Sequence, residues 1–250
     1  MVNQHTIKLG DHVNFTVPTG NFGDVLAGYY AKLMGLPVNK FIVAANQNNV
    51  LADFFESGIY DRNRPFFKTV APSMDIQISS NFERLLYYKT NGNTKYVSHL
   101  MNQLETSGKY QVTPELLAAI KQDFYFGYSS DDDIRSSIHD TYHDYHYLMD
   151  PHTAAGYKVM RDYQQIDDQT PMILLSTASP YKFIDVVNQA LNLSSASDQQ
   201  TIMTDINRVT GIKIPNNLIN VWNLPVRFTD IIQKNDMQDY VLNKVKEDFQ

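Results

Sequence analysis

The chain has 250 residues, of which 43% are hydrophobic and 19% are charged, and its formal net charge is −6. This length can bury a large core, and the negative charge argues against a protein that binds nucleic acid through a basic face. The absence of cysteine excludes disulfides, cysteine-ligated metals and thiol catalysis. No apolar run approaches the roughly 18 residues that span a membrane, and no signal-peptide-like segment begins the chain, so we expect a cytoplasmic protein without a membrane partner.

The N-terminal part of the chain alternates between strand and helix patterns. Residues 12–19 alternate apolar and polar side chains, which predicts a strand, and residues 22–33 place apolar side chains at helical spacing. A short apolar strand at 40–45 and a helix at 48–57 follow. This order is typical of a parallel sheet with right-handed crossovers, and it predicts an α/β fold.

The middle of the chain is richer in helix. Residues 79–165 read mostly as helix, with Ser80 and Thr113 as candidate N-caps and Asp131–Asp133 suited to a helix N-terminus. We therefore expect an α/β domain with a helix-rich insertion. Three further elements are predicted after it: a buried strand at 171–176, a helix at 181–192 and a helical tail at 229–249.

The segment Pro18-Thr19-Gly20-Asn21-Phe22-Gly23-Asp24 lies between the first strand and the first helix. The unpaired N–H groups of a helix N-terminus, together with glycines that permit close approach, are suited to bind a phosphate. The alternative is a plain tight turn that binds nothing. The segment lacks the Gly-Lys-Ser/Thr of the P-loop and the GxGxxG of dinucleotide sites, so a single phosphate fits it better. Asp24 is expected to interact with the helix dipole.

Several longer segments carry a family resemblance. Residues 18–37 (PTGNFGDVLAGYYAKLMGLP) resemble the pyridoxal-phosphate loop of threonine synthases of the bacterial and fungal branch. Further similar segments follow in the family's order at 41–51, 72–88 (PSMDIQISSNFERLLYY), 150–156 (DPHTAAG) and 176–183 (STASPYKF). In the last of these, Ser179 stands where the family pattern usually has histidine.

The resemblance implies the fold and the activity. It implies the parallel-sheet large domain of a fold type II, tryptophan synthase β-like enzyme that uses pyridoxal 5'-phosphate. The complete enzyme would be a carbon–oxygen lyase acting on phosphates, converting O-phospho-L-homoserine and water to L-threonine and phosphate. The alternative is a non-catalytic, threonine-synthase-like domain that binds a phosphate ligand or a partner.

The resemblance begins in the middle of the family's sequence pattern. We therefore expect residues 1–250 to form one domain, the C-terminal, phosphate-binding part of a threonine synthase. On this expectation the N-terminal domain with the Schiff-base lysine is absent and acts as a partner. No catalytic residue is then assigned to this chain, and the fragment alone is expected to be inactive.

The resemblance also assigns site residues. It places the backbone of Gly20, Asn21, Phe22, Gly23 and Asp24 at the cofactor phosphate and Thr177 at the pyridine nitrogen. The alternative role of Thr177 is to cap the helix entered through Pro180. Candidate substrate-binding residues lie in the matching segments: Ser73, Asp75, Ser79, Ser80, Asn81, Arg84 and His152.

Two of the substrate-binding assignments have a structural alternative. Ser80 and Glu83 have the S-x-x-E spacing of a capping box, in which the serine caps the helix and binds no ligand. Arg84 could hold an anion bidentately or contact a neighbouring carboxylate.

Two other patterns resemble sites but favour a surface role. His139, His143 and His146 have a spacing that can bind Zn²⁺, but their helix is polar and rich in tyrosine, which is typical of a solvated face. Lys68, in Phe-Lys-Thr, resembles the family's lysine motif but follows the phosphate loop, whereas the family's lysine precedes it. We expect Lys68 to be a surface residue and predict no metal.

Overall fold

A computed structural model describes residues 1–193, 195, 198–222 and 224–248. They form two compact units, Met1–Lys213 and Ile214–Gln250, which are described separately. The assignment of residues 1–250 to one domain stays a prediction. Within the described ranges, no helix is long and apolar enough to cross a membrane.

The first unit is an α/β structure. Its strands are β1 (Val13–Pro18), β2 (Val38–Ala45), β3 (Ile59–Asp61), β4 (Lys109–Gln111), β5 (Phe124–Tyr128) and β6 (Met172–Leu174). Its helices are α1 (Gly23–Leu33), α2 (Val50–Ser57), α3 (Phe82–Lys89), α4 (Thr94–Ser107), α5 (Pro114–Asp123), α6 (Asp131–Tyr145), α7 (Pro151–Tyr163), α8 (Ile184–Leu191) and α9 (Gln199–Thr210). The predicted α/β class is confirmed.

The main sheet is parallel and has the strand order β5-β2-β1-β6. Phe15 of β1 pairs with Phe41 of β2 on one side and with Ile173 of β6 on the other. Because all four strands run the same way, their carboxyl ends meet at one edge of the sheet, where ligands bind in α/β folds. The residues after β1 and after β6 are therefore neighbours.

Aromatic side chains form much of the core on one face of this sheet. Phe22, Phe82 and Phe124 are almost completely buried there, and the ring centroids of Phe22 and Phe82 lie 5.2 Å apart. On the other face, α7 packs against the central strands. A Cβ added at Gly156 would lie 2.8 Å from Leu174 Cδ1 and 3.1 Å from Pro18 Cγ. The glycine thus lets α7 contact the ends of β1 and β6 directly.

The structure corrects part of the element prediction. The stretch at 79–165 contains two strands, β4 and β5, in addition to helices. Thr113 caps α5 as predicted, because its Oγ1 accepts a hydrogen bond from Leu116 N at 3.3 Å. Ser80 does not cap α3, whose N-cap is Asn81. The predicted cap was wrong because both the N–H and the hydroxyl of Ser80 donate elsewhere, to Asn21.

The second unit contains α10 (Asn216–Val221) and α11 (Met237–Asp248), with a 3₁₀ turn at Lys234–Asp236. The predicted helical tail thus begins at the 3₁₀ turn, later than the predicted residue 229. Its last predicted residue, 249, lies outside the described residues.

Candidate functional site

The loop after β1 presents unpaired backbone donors. Thr19 anchors its start, since Thr19 N donates to Ala44 O at 2.8 Å and Thr19 Oγ1 donates to Val17 O at 2.7 Å. The next five backbone N–H groups, those of residues 20–24, donate to no acceptor in the part of the chain that the structure describes. They cluster at the N-terminus of α1, which carries partial positive charge. This arrangement is suited to bind an anion.

Phe22 fixes the shape of the loop. Its backbone lies in the left-handed region, with φ 62° and ψ 10°, which costs an L residue roughly 1–2 kcal/mol. Its ring is only 1% exposed and contacts the rings of Phe82 and Phe124. Burial of the ring offsets the backbone strain, so the loop is held in its donor-presenting shape without a ligand.

The start of α3 closes on the same loop. Ser80 N and Oγ donate to Asn21 Oδ1 at 2.7 and 2.8 Å, and Asn81 Nδ2 donates to Asn21 O at 2.9 Å. Arg84 Nη1 donates to Asn81 Oδ1 at 2.7 Å, which leaves its other N–H groups available to an anion. Three of the predicted site residues therefore form one network with Asn21.

The short 3₁₀ turn at Pro72–Met74 supports the loop from a second side. A Cβ added at Gly20 would lie 3.0 Å from Ser73 O and 3.1 Å from Met74 Cα. Only a glycine fits there without displacing backbone. Ser73 itself is exposed beside the loop.

Asp75 is engaged within the protein. Its Oδ1 accepts hydrogen bonds from Asn46 Nδ2 (2.7 Å), Asn48 Nδ2 (3.0 Å) and Thr69 Oγ1 (2.8 Å). Its Oδ2 accepts from Thr69 N at 3.1 Å. The carboxylate thereby ties the segment at 69–75 to the end of β2, and its predicted contact with a substrate stays a prediction.

Ser79 forms no hydrogen bond to the loop at residues 20–24. Its side chain is buried, and its Oγ has no hydrogen-bond partner among the described residues. It lines a small cavity of about 130 Å³ together with Tyr60, Phe82, Met101 and Tyr110. Burial raises the pKa of Tyr60 to about 12, so its hydroxyl stays neutral and accepts a hydrogen bond from Ser79 N at 2.8 Å. Substrate binding by Ser79 stays a prediction.

The first turn of α7 contacts the site through hydrogen bonds to Ser73 and Thr177. Asp150 caps this helix, accepting hydrogen bonds from His152 N at 2.9 Å and Thr153 N at 3.4 Å. His152 is buried, and its Nδ1 lies 3.0 Å from Asp150 Oδ1. Its Nε2 accepts a hydrogen bond from Ser73 N at 3.1 Å. Both ring nitrogens are therefore occupied within the protein, which favours a structural role for His152.

Thr177 lies at the carboxyl end of β6, next to the loop after β1. Its backbone N donates to Thr153 Oγ1 at 3.2 Å, and its own hydroxyl is exposed and bonds to no other described residue. The capping alternative for Thr177 is wrong, because Ser179 caps the turn at Pro180–Lys182 by accepting from Tyr181 N at 3.3 Å. A free hydroxyl thus follows β6 at the same sheet edge at which the free N–H groups follow β1.

The three histidines at 139, 143 and 146 and Lys68 are exposed, as predicted for surface residues. His139 and His143 each contact the carboxylate that follows them, Asp140 and Asp144, at 2.9 Å. No group of three or more His, Asp or Glu side chains in the described ranges is arranged to hold a metal ion.

Sequence reasoning missed Asn46, Asn48, Asp150 and Thr153. The two asparagines directly follow a buried strand, and Asp150 precedes a proline at a helix start. Polar residues at such positions are detectable signals of strand ends and helix caps. Their shared hydrogen bonds depend on contacts distant in sequence, which no local pattern reveals.

Known proteins resemble this chain in sequence. Residues 153–243 match the family described as threonine synthase, C-terminal. Threonine synthase of Saccharomyces cerevisiae is 41% identical over 195 residues, which cover 72% of this chain and 38% of that protein. Human threonine synthase-like 1 is 41% identical over 200 residues, covering 79% of this chain and 26% of that protein.

The fold is shared as well. The crystal structure of threonine synthase from Brucella melitensis with bound PLP superposes with a TM-score of 0.83 at 36% identity. The match covers 96% of this chain and 48% of the solved one, so this chain spans about half the length of that relative.

Proposed function

Because the chain belongs to the threonine synthase family and matches its C-terminal half, we propose that it forms the cofactor-phosphate-binding part of a PLP-dependent lyase. The complete enzyme would convert O-phospho-L-homoserine and water to L-threonine and phosphate. The observation that carries this proposal is the set of five unpaired N–H groups at residues 20–24.

The described residues fit pyridoxal phosphate. The backbone of Gly20, Asn21, Phe22, Gly23 and Asp24 would hold its phosphate, and the hydroxyl of Thr177 would bond its pyridine nitrogen. When bound, the cofactor supplies an electron sink for carbanion chemistry. A neutral hydroxyl can hydrogen-bond the ring nitrogen without requiring that it be protonated. The protein's part is to orient the ring between the two strand ends.

The substrate would approach from the exposed side of the loop. Ser73, Ser80 and Arg84 are exposed there, and Asn81 holds the Arg84 guanidinium through one nitrogen only. The remaining N–H groups of Arg84 suit the phosphate of O-phospho-L-homoserine, which arginine binds in a bidentate manner. Within this proposal, Asp75 and His152 support the substrate side indirectly by holding the loops that line it.

We expect activity to require the family's N-terminal domain. Lys68 is exposed and forms no hydrogen bond to any described residue, so nothing desolvates it for attachment to a cofactor. Phe66, Phe67 and Ile78 are exposed apolar residues in the loops around the site, and they suit contact with that domain.

A second candidate function is a non-catalytic domain that binds a phosphate ligand or a partner. It is favoured by the match to human threonine synthase-like 1, which is as high in identity as the match to the yeast enzyme. Family membership therefore supports both candidates.

Spectroscopy and turnover with the purified chain test the proposal. Mixed with pyridoxal phosphate, the chain alone should show free-aldehyde absorbance, no borohydride-trapped adduct at a unique lysine and no phosphate release from O-phosphohomoserine. Addition of the N-terminal half of a threonine synthase should restore both attachment and phosphate release. Binding without turnover in the reassembled protein would favour the non-catalytic candidate. A stoichiometric adduct on one lysine of this chain alone would overturn the requirement for a second domain.

A further inference from the structure

One buried carboxylate connects the two ends of the proposed cofactor site. We propose that Asp150 is a positioning residue that acts through two arms, His152 toward the loop at residues 20–24 and Thr153 toward Thr177. The inference rests on the function proposed above for that loop and for Thr177. It assigns to Asp150 a role beyond capping α7.

The surroundings of Asp150 suit a fixed negative charge. Its side chain is completely buried, and its two oxygens accept four hydrogen bonds, from the backbone and side chains of His152 and Thr153. No lysine or arginine pairs with it anywhere in the described chain. Burial by itself would raise the pKa of Asp150, but the hydrogen bonds from His152 and Thr153 outweigh it, and the pKa is lowered. The group is ionised and can only accept hydrogen bonds.

The first arm runs through His152. Because Asp150 Oδ1 can only accept, Nδ1 of His152 carries the proton and Nε2 keeps its lone pair. That lone pair accepts the N–H of Ser73 at 3.1 Å, and the ring packs on Phe183 with centroids 4.6 Å apart. The backbone of Ser73 lies directly against Gly20, so the first arm ends at the loop of residues 20–24, the glycine loop.

The second arm runs through Thr153. Its hydroxyl donates to Asp150 Oδ2, which directs its oxygen lone pair away from the carboxylate. That oxygen accepts the N–H of Thr177 at 3.2 Å. The backbone of Thr177 is thereby fixed while its own hydroxyl remains free for a ligand.

The two arms can be broken separately. His152→Gln keeps an acceptor at the position of Nε2, whereas His152→Asn reaches only the position of Nδ1. Thr153→Ser keeps the hydroxyl, whereas Thr153→Val removes it at nearly constant volume. Each arm therefore has a disrupting variant and a matched control of similar size.

Amide hydrogen exchange measured by NMR on the whole 250-residue chain tests the inference. His152→Asn should speed exchange of the Ser73 amide about tenfold and leave that of Thr177 unchanged, and Thr153→Val should do the reverse. His152→Gln and Thr153→Ser should behave like the natural chain, and Asp150→Ala should speed both. Protection of Val43, in the central strand β2, monitors folding in each variant. Global destabilisation speeds exchange of Val43, Ser73 and Thr177 alike, whereas loss of one arm speeds exchange of its own amide beyond that of Val43.

Titration with inorganic phosphate adds a functional readout. His152→Asn should raise the phosphate concentration needed to shift the amides of residues 20–24 several-fold, and Thr153→Val should leave it unchanged. Unchanged exchange of Ser73 in His152→Asn, or equal effects of both disrupting variants on both amides, would overturn the inference. A natural chain that binds no phosphate at this loop would overturn the proposed function, whereas the exchange of Ser73 and Thr177 would still decide the role of Asp150.

Discussion

Replacing Gly20 by alanine places one methyl group where the structure has no room. The added Cβ would lie 3.0 Å from Ser73 O, 3.0 Å from Ile76 Cδ1 and 3.1 Å from Met74 Cα. The Ile76 side chain can rotate away from the methyl group, but the atoms of Ser73 and Met74 belong to the backbone and cannot. His152 also holds their turn in place by accepting the hydrogen bond of Ser73 N. Either the turn at Pro72–Met74 or the loop at residues 20–24 must therefore shift by a few tenths of an ångström. Overpacking of this kind costs about 1–3 kcal/mol of unfolding free energy.

The same substitution at Gly23 is the matched control. A Cβ there would meet only Asn81 Nδ2 at 3.5 Å, an ordinary contact, and Gly23 is the first residue of α1. Alanine should therefore leave the unfolding free energy within about 0.5 kcal/mol of the natural value. Urea unfolding followed by circular dichroism measures both variants. For a chain of this size, Gly20→Ala should also lower Tm by about 2–12 °C. Equal effects of the two substitutions would refute the reasoning from close backbone contact.

Three further outcomes are expected. Thr177→Ala in the reassembled enzyme should lower kcat by about fivefold or more with pyridoxal phosphate still bound, because a buried hydrogen bond is worth about 1 kcal/mol or more. Thr177→Ser should retain activity, and an unaffected kcat in Thr177→Ala would contradict the role. Glu83→Ala should change the unfolding free energy by no more than about 0.5 kcal/mol, because Asn81 and not Ser80 is the N-cap residue of α3, and a larger loss would restore the capping box. The pKa of Asp150 is lowered from 3.8, so its stabilisation of the fold is present above that pH and is lost as the pH falls through the lower folded-state pKa. Asp150→Asn should therefore flatten the dependence of the unfolding free energy on pH below about pH 4. A variant whose unfolding free energy changes with pH in parallel with that of the natural chain would count against the assignment.

The sequence predicted the part of the site that depends on local rules. The strand pattern before residue 18 and the helical spacing after residue 22 placed the glycine loop correctly, because periodicity and unpaired helix donors are properties of neighbouring residues. The prediction of mostly helix over 79–165 includes no strand at Phe124–Tyr128, where the structure has β5. Its strand conformation comes from pairing with β2, which lies far away in the sequence.

Polar networks were the least predictable feature. The S-x-x-E spacing of Ser80 and Glu83 is a local signal for a cap, but the hydrogen bonds of Ser80 to Asn21, 59 positions away, prevailed. The same is true of His152 and Ser73, which are 79 positions apart. Such partners are set by tertiary packing, so a single sequence identifies the residues without identifying their contacts.

The placement of β1 between β2 and β6 has a consequence for synthesis. Thr16 contacts Met172 although 156 positions separate them, so one side of β1 stays unpaired until most of the chain has left the ribosome. Pairings at such separation close slowly, because the entropy of a long loop must be lost before any contact compensates for it. The glycine loop can therefore form early with β2, whereas Thr177 joins it only after β6 has paired with β1. Within the first unit, a ligand that bridges the loop and Thr177 would hold that late pairing closed.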